Sequence, residues 1–170
     1  MSVLTPVRPH PKARHGNVSF LAVPIHEAGG ADFRAGDLVA VAAGLINRFL
    51  GAAGTTDPLA FAGADSRLHQ PYIRASWPLG AGTIRDRGTI VYRMTDEDRL
   101  VMTVEGVTPD IQTIVGQLRD IAHNATFGFA TVVATSANPR VRIESVLEGV
   151  NGGTNVLVIC SPVTTAGRWF

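Results

Sequence analysis

The sequence is poor in several residue types, and each shortage narrows what the protein can be. Cys160 is the only cysteine among 170 residues, so no disulfide can form within the chain. It lies in the apolar run 156–160, where a thiol is typical of a small buried hydrophobe and not of a nucleophile or metal ligand. No apolar stretch approaches the ~20 residues of a membrane-spanning helix, and no signal peptide is visible. We therefore expect a soluble protein made in a reducing cytoplasm.

Charge is also scarce. Charged residues make up 17% of the chain, hydrophobic residues make up 45%, and the net charge is +1. Proteins that bind nucleic acids or membrane surfaces electrostatically carry a larger basic excess, so we expect neither partner. The high apolar content favours burial of some surface against another protein. Lys12 is the only lysine, and the arginines suit such an interface, although a biased genome composition would give the same pattern.

Residue patterns that carry chemistry are missing as well. The Gly80–Gly82 segment lacks the third glycine of a dinucleotide-binding loop, and no Gly-Lys-Ser/Thr occurs. The acidic cluster Asp96–Asp98 could bind a metal ion, but it lacks a glycine-punctuated ligand loop and is better explained as a solvated turn. No histidine has a metal-ligand spacing; the histidines are His10, His15, His26, His69 and His123. We therefore predict a protein that is not an enzyme, with no catalytic residue, cofactor or metal site.

Residues 1–17 are predicted to form an extended arm. Their prolines bias the backbone to extended conformations, and the segment is basic because no acidic residue precedes Glu27. It is either a solvated tail or an arm that becomes ordered against an acidic partner or the edge of a β-sheet. Residues 18–170 are predicted to form a single β-rich domain.

Short β-type runs follow the arm. The first, Val18–Val23, is predicted to end at Pro24. Three more lie between Phe33 and Asp65, separated by small turns. In Leu38–Val41 both alternating faces are apolar, which predicts a strand with one face in a core and the other against a neighbouring subunit.

The clearest local pattern predicts a hairpin. Thr89–Thr95 and Arg99–Glu105 both alternate in polarity, and the acidic turn Asp96–Asp98 separates them. The apolar sides of the two strands are expected to pack together; they comprise Ile90, Tyr92, Met94, Leu100, Met102 and Val104.

The segment Thr108–Asn124 has two interpretations. Its apolar residues recur at helical spacing behind a Thr-Pro start, which predicts a helix of three to four turns. Gly116 in its middle disfavours that helix by about 1 kcal/mol. The alternative is a break at Gly116 followed by a strand over Gln117–Ala122. The residues that would share the helical face are Ile111, Ile114, Val115, Leu118 and Ile121.

The rest of the chain is predicted to be β. Phe129–Ala134 is rich in β-branched residues, and Arg140–Ser145 alternates strictly and should be half exposed. Val156–Cys160 has the continuous apolar pattern of a central strand, and Pro162 should end it.

Aromatic residues outside the strands are candidate contacts. Trp77 lies between prolines, where an aromatic is more often a packed loop anchor, although exposed aromatics do mark interfaces. The chain finishes on Trp169 and Phe170, which a solvated terminus does not need, so docking on a neighbour or on the chain's own core is expected. With the two-faced strand, the candidate subunit or capsid contacts are Leu38, Val39, Val41, Trp77, Trp169 and Phe170.

The order of these elements is similar to that of a known family. Phe33–Val39, a short turn and strand, and then Leu59–Asp65 resemble the repeated aGdlV … G … GvA … d pattern of decoration proteins, the cement or head-stabilising proteins of tailed bacteriophage capsids. The segments that look like the family's later strands, in the same order, are Arg87–Gly88, Leu100–Gly106, Ile114–Gln117 and Asn155–Ile159. The resemblance covers about Val18 to Pro162.

The resemblance implies a mainly β protein, built as a small β-barrel or β-sandwich with an extended N-terminal arm and at most one short helix. It implies a homotrimer on the capsid exterior of the virion, bound to the major capsid protein, with no catalysis and no cofactor. It favours a turn at Thr108–Ile111 and a strand after Gly116. The arm would add a strand to a capsid loop, and the residues that match this role are Arg8, Lys12, Arg14, Val18 and Phe20.

Two other functions remain open. A tail-tube or head-to-tail connector protein also uses small β-rich rings, and a six-fold ring in place of a trimer would identify it. A trimeric β-fold nucleotide hydrolase would need an acidic residue and a glycine-rich phosphate contact in matched positions, which the sequence does not show.

Overall fold

The computed structural model describes residues 6–12, 21–69, 89–106, 113–149 and 155–169. Within these ranges the regular structure is β-strand with two short 3-10 turns, Arg67–His69 and Thr165–Gly167, and no α-helix. The mainly β prediction is confirmed. The strands are β1 (His10–Lys12), β2 (Leu21–Glu27), β3 (Leu38–Ala42), β4 (Leu45–Arg48), β5 (Leu59–Ala62), β6 (Thr89–Arg93), β7 (Arg99–Glu105), β8 (Leu118–Arg119), β9 (Ile121–Asn124), β10 (Phe129–Val132), β11 (Val141–Gly149) and β12 (Asn155–Pro162).

Five of these strands close into a barrel in the order β2-β4-β3-β5-β6. The three runs predicted between Phe33 and Asp65 are β3, β4 and β5, so this part of the prediction is confirmed. β2 pairs in parallel with β4 and antiparallel with β6, which completes the ring. The core of the barrel consists of Ile25, Ala31, Phe33, Val39, Ile46, Ala60, Ala62 and Val91, with Val41 packed against it.

The predicted end of the first strand at Pro24 is wrong. β2 runs through Pro24, which lies opposite Ile90 in the ladder with β6, and continues to Glu27. The described ladder with β4 begins only at His26, so at Pro24 the strand has a partner on one edge. A proline is tolerated at such an edge because its missing N–H removes no hydrogen bond from a second ladder.

The remaining strands form a second sheet in the order β8-β11-β12-β7-β10-β9, and β1 is added to β7. The strands at the two ends of this order, β8 and β9, are separated in the chain only by Asp120. The backbone of Asp120 continues the pairing, since its N–H donates to Thr135 O at 2.9 Å and its C=O accepts from Val133 N at 3.0 Å. The sheet is therefore nearly closed on itself.

The predicted hairpin of β6 and β7 is wrong in its pairing. Both strands form, and a turn joins them, with Thr95 N donating to the Asp98 carboxylate at 2.7 Å. However, β6 pairs with β2 and β5, whereas β7 pairs with β12, β10 and β1. Residues 100–104 of β7 are all buried, which is typical of a central strand with neighbours on both edges. Ile90 is 45% exposed and does not pack in the predicted manner.

The helical interpretation of Thr108–Asn124 is wrong in its described part. Residues 113–116 form a turn, and strands β8 and β9 follow, as the alternative proposed. The reason lies at Gly116, whose φ of +82° is left-handed and incompatible with a continuing α-helix. Residues 107–112 lie outside the described ranges.

The strands predicted near the C-terminus are confirmed. β10, β11 and β12 occupy the expected segments, and β11 alternates buried and exposed positions over Val141–Glu144. β12 lies between β11 and β7 as a central strand. Cys160 is fully buried in it, and the loss of solvent raises the pKa of its thiol.

Contacts divide the described residues into two compact units. The barrel unit contains β2 to β6, and the sheet unit contains β1, β7 to β12 and the segment Leu50–Thr56. The predicted single domain over residues 18–170 stays a prediction. Each unit is described by itself below.

Candidate interaction surface

Two loops of the barrel unit contain much of the family-like sequence pattern. These paired loops are residues 33–37, before β3, and residues 62–66, at the end of β5. Gly36 N donates to Ala62 O at 2.7 Å, and Ala62 N donates to Asp37 O at 2.9 Å. Gly36 has a φ of +84°, which favours glycine. In this chain, residues of the aGdlV-like and GvA-like segments therefore form the hydrogen bonds that join two loops of the barrel.

The carboxylate of Asp65 holds the paired loops together from the solvent side. Its Oδ1 accepts from Ala35 N at 2.9 Å and its Oδ2 from Arg34 Nη1 at 3.1 Å. The hydrogen bond from Ala35 and, to a lesser degree, the Arg34 guanidinium hold the pKa of Asp65 below its usual range. The ionised carboxylate of Asp65 makes these contacts, and its lowered pKa keeps it ionised at neutral pH, so the two loops remain hydrogen-bonded through it.

Gly63 allows a close approach between the second loop and β6. Its N–H donates to Ile90 O at 2.7 Å. A Cβ at this position would lie 3.0 Å from Ile90 O and 3.2 Å from Tyr92 Cζ, which is tighter than ordinary contact. Glycine is needed here for space and not for a left-handed backbone.

The described part of the N-terminal arm, residues 6–12, is bound to the sheet unit. β1 pairs antiparallel with β7, with His10 opposite Val101 and Lys12 opposite Arg99. Just before this ladder, the fully buried hydroxyl of Thr103 accepts from Val7 N at 2.8 Å and donates to Val7 O at 3.1 Å. One side chain thus satisfies both backbone groups of an arm residue.

The predicted arm residues are only partly described. Arg8 and Lys12 are both exposed on the docked arm, and Pro9 between them is buried. The structure therefore brings two of the predicted basic residues to the solvent side of one short segment. The predicted arm residues outside the described ranges are Arg14, Val18 and Phe20.

The predicted contact strand is buried by the chain itself. Leu38 and Val39 point to opposite faces of β3 and are 6% and 0% exposed, and Val41 is half buried against the barrel core. Two-faced burial of this strand is present as predicted. No neighbouring subunit is needed to produce it, because it occurs in a single chain.

Trp169 is part of the sheet unit's own interior. It is 6% exposed, and its Nε1 donates to Arg140 O at 2.7 Å. The guanidinium of Arg140 in turn donates to Arg168 O at 2.6 Å and to Thr55 O. Of the two predicted destinations for the C-terminal aromatics, Trp169 takes the chain's own core. The predicted contacts outside the described residues are Trp77 and Phe170.

Several large apolar side chains are exposed, and their exposure was not predicted from the sequence. Val115 and Leu118 were placed on the buried face of a helix, but they are 45% and 38% exposed, whereas Ile114 and Ile121 of the same set are 2% exposed. A strand geometry after Gly116 would have placed Leu118 and Ile121 on opposite faces, whereas Ile114 and Val115 lie in the turn before it. The large apolar residues exposed in the described ranges are Leu50, Leu68, Ile90, Val115, Leu118 and Leu147.

An open depression of about 510 Å³ lies beside Leu118. The charged group in it is already engaged, since the Arg119 guanidinium donates to Gln117 Oε1, from Nε at 3.0 Å, and to Ala134 O. Small-molecule sites are usually enclosed and carry a few polar groups directed at the ligand, whereas this depression is open and its arginine is bound to neighbouring protein groups. The residues that line it are Gln117, Leu118, Arg119, Ala134, Ser136 and Pro139.

Groups with catalytic or metal-binding chemistry are dispersed in the described part of the chain. Three or more His, Cys, Asp or Glu side chains do not meet there in a metal-binding cluster. His69 and Asp32 form a hydrogen-bonded titratable pair, and Asp32 is largely exposed. None of the helices in the described ranges has the length and apolar character needed to cross a membrane.

Comparison with known proteins gives no relative: no protein-family model, no curated protein and no solved structure matches this chain.

Proposed function

We propose that this protein is a non-enzymatic structural protein of a bacteriophage virion that binds the outer surface of the capsid lattice and stabilises it. Its partner is the major capsid protein, and it acts as a homotrimer. It is assembled in the cytoplasm of the host bacterium and resides on the capsid exterior.

The observation that carries the proposal is the arm, whose residues 10–12 are paired as an edge strand with β7. Strand addition to a capsid loop requires a segment that can extend and present its backbone to a sheet edge. The arm already does this within its own chain, despite its prolines. Arg8 and Lys12 stay exposed while it does so, and positively charged side chains of this kind suit an acidic partner surface.

The barrel supplies the second line of support. The resemblance is to a family of small β-barrels, and the residues that match its pattern are those that join the paired loops of a closed five-stranded barrel. A rigid barrel loses little conformational entropy on binding. Many such copies on a symmetric shell each add a modest interface, and the array multiplies the effect.

The test uses capsids that lack the protein, to which purified wild type or an arm-deleted variant without Met1–Asn17 is added. We expect the variant to keep its barrel fold and to lose capsid attachment, because the strand that pairs with the capsid is gone. Site occupancy is measured by electron microscopy of the particles. Unchanged occupancy would refute the role of the arm.

Two variants that each lose two positive charges distinguish a specific contribution of the arm from a general effect of net charge. The double substitution Arg8→Ala/Lys12→Ala removes two positive charges from the arm, and Arg93→Ala/Arg142→Ala removes two from exposed strand positions elsewhere. Occupancy should fall for the first and persist for the second. Equal loss in both would mean that only net charge matters.

The same particles distinguish the other functions. Trimers at three-fold positions on the shell agree with the proposal, whereas a six-fold ring at the tail or portal vertex would replace it with a connector function. Turnover of a nucleotide panel by the purified protein would replace it with hydrolysis.

A further inference from the structure

We propose that the edge of β7 from Arg99 to Thr103 is a strand-binding site with an exchangeable occupant, which takes the arm of a second copy of this chain in place of the chain's own arm. Copies would then be linked arm to sheet. This inference concerns association between copies, and it stands whether or not the protein binds a capsid.

The site is built to hold an extended backbone. One edge of β7 is paired with β12 from Leu100 to Glu105. The other edge is divided, since β10 is in register at Val104 and β1 takes the stretch from Arg99 to Val101. Thr103, between these two ladders, holds both backbone groups of Val7 through its buried hydroxyl. The site therefore recognises main chain, which any copy of the arm supplies equally.

The ladder that fills this site is short and contains unfavourable features. In the part of the arm that the structure describes, it comprises the pairs His10–Val101, Pro11–Leu100 and Lys12–Arg99. Pro11 has no N–H to donate to a ladder. Lys12 lies directly opposite Arg99, and like charges in that position are destabilising. A strand held by so few favourable contacts opens at low free-energy cost compared with the core strands.

The course of the chain favours a second copy as the alternative donor. The arm belongs to the sheet unit, but the next strand, β2, belongs to the barrel unit. Its attachment to β7 is therefore not a local hairpin. When an identical segment from another copy docks instead, every contact is conserved, and such exchange is a low-cost route to association. On a crowded surface, the high effective concentration of neighbouring arms favours this exchange further.

Cysteine pairing between full-length chains tests the exchange. His10 and Val101 are directly opposite in an antiparallel ladder, where Cβ atoms are close enough for a disulfide. One chain carries His10→Cys and the other Val101→Cys, and the two are mixed and mildly oxidised. The native Cys160 does not compete, because it is fully buried and its thiol pKa is raised.

A disulfide-linked pair of the two variants is the expected product, detected by intact mass under non-reducing conditions. Its yield should exceed by about tenfold that of His10→Cys mixed with Glu148→Cys, an exposed β11 position that reports random collision. Adding Thr103→Val to the Val101→Cys chain should lower the yield, since the bonds to Val7 are lost.

Two results would overturn the inference. The double variant His10→Cys/Val101→Cys in one chain closes internally in dilute solution if the arm docks as described. Internal closure without a mixed product above the collision control would show that each arm stays on its own sheet. Failure of both reactions would show that the β1–β7 pairing does not form in solution.

Discussion

Gly63 lies where the backbone of β6 leaves no room for a side chain. The atom nearest to a new Cβ is Ile90 O, at 3.0 Å, and that oxygen is held by the N–H of Gly63 itself. The obstacle is therefore part of a ladder and cannot move as freely as the end of a flexible side chain.

Gly63→Ala should destabilise the barrel by about 1 to 2 kcal/mol, because overpacking outweighs the smaller entropy loss of alanine on folding. Gly29→Ala is the matched control, since a Cβ at Gly29 meets nothing within 4 Å and its backbone is not left-handed. The control should change stability by less than about 0.5 kcal/mol. Urea denaturation of both variants measures the difference, and equal midpoints would show that the barrel relaxes around the added methyl.

Asp65 gives the barrel a pH dependence of known sign. Its pKa in the folded state is below the ordinary value of an aspartate carboxyl, chiefly because of the hydrogen bond from Ala35. A depressed carboxyl pKa contributes stability that is complete above about pH 5 and disappears as the pH falls through the folded-state pKa. We expect Asp65→Asn to be less stable than wild type at pH 7, and the gap to narrow steadily below pH 4. Denaturation midpoints between pH 7 and pH 2.5 report the gap; a gap independent of pH would assign the contribution to neutral hydrogen bonding.

Single residues were the easiest features to anticipate. Burial of Cys160 followed from its apolar neighbours in sequence, because a central strand covered by neighbours on both edges places alternate side chains in the core. The role of the Thr103 hydroxyl, which forms hydrogen bonds to the backbone of the arm, could not be predicted from the sequence. Its partner Val7 is far away in the chain, and a threonine within an alternating strand has no local mark of such a role.

At the level of elements, the sequence located strands better than it located their partners. Alternating polarity depends on adjacent residues, so β7 was found at its full predicted length. Pairing depends on which distant strand has a matching edge, and a short acidic turn between two alternating runs does not settle that choice. β6 and β7 therefore appeared as a hairpin although they enter different sheets.

Periodicity alone was misleading between Thr108 and Asn124. The same spacing of apolar residues is compatible with two short strands that are separated by one residue. Here the strands are β8 and β9, and Asp120 separates them. Gly116 decides between the two interpretations, because its left-handed backbone conformation cannot be part of a right-handed α-helix.

Gly116→Ala tests this assignment through the sign of its effect. With φ at +82° and no atom within 4 Å of a new Cβ, the substitution should destabilise the sheet unit by about 1 kcal/mol, purely through backbone strain. Gly116→Asn should cost less, because asparagine tolerates the left-handed region. A helix through this residue would instead gain about 1 kcal/mol from alanine. Thermal or urea unfolding of the three proteins distinguishes the two.

Across the whole molecule, Arg140 connects parts of the chain that are distant in sequence. It is 2% exposed, and its guanidinium donates to backbone carbonyls of Thr55 and Arg168 while its own C=O accepts from Trp169. The sheet unit thus fixes its C-terminal segment and the inserted segment Leu50–Thr56 through one side chain.

Arg140→Met should destabilise the sheet unit by about 1 to 3 kcal/mol, because the partly buried carbonyl of Arg168 loses this donor and that of Thr55 keeps only the donor from Asn138 Nδ2. Arg142→Met, two residues away on an exposed position, removes the same charge and should change stability by less than about 0.5 kcal/mol. Intrinsic fluorescence during denaturation, measured for both variants in a Trp77→Phe background so that Trp169 is the remaining tryptophan, follows this unit. Similar midpoints for the two variants would mean that water replaces the guanidinium without penalty.

The candidate surface was harder to predict than the fold. The arm was recognised from prolines and charge, which are local properties. Leu38 and Trp169 were chosen because they are apolar and lie at conspicuous places in the sequence, yet a single chain buries both. Composition shows that apolar side chains are present, but only the three-dimensional arrangement shows which of them reach the surface.

The arm also has a consequence for the order of events during synthesis. The central strand β7 leaves the ribosome before β10 and β12, so its apolar residues wait for their sheet partners for seconds at about 5–20 residues per second. Of the strands that pair with β7, β1 is the only described one that precedes it in the chain. The arm, which is translated before β7, can therefore cover one edge of the nascent strand, and loss of the arm should increase aggregation during expression before any partner is encountered.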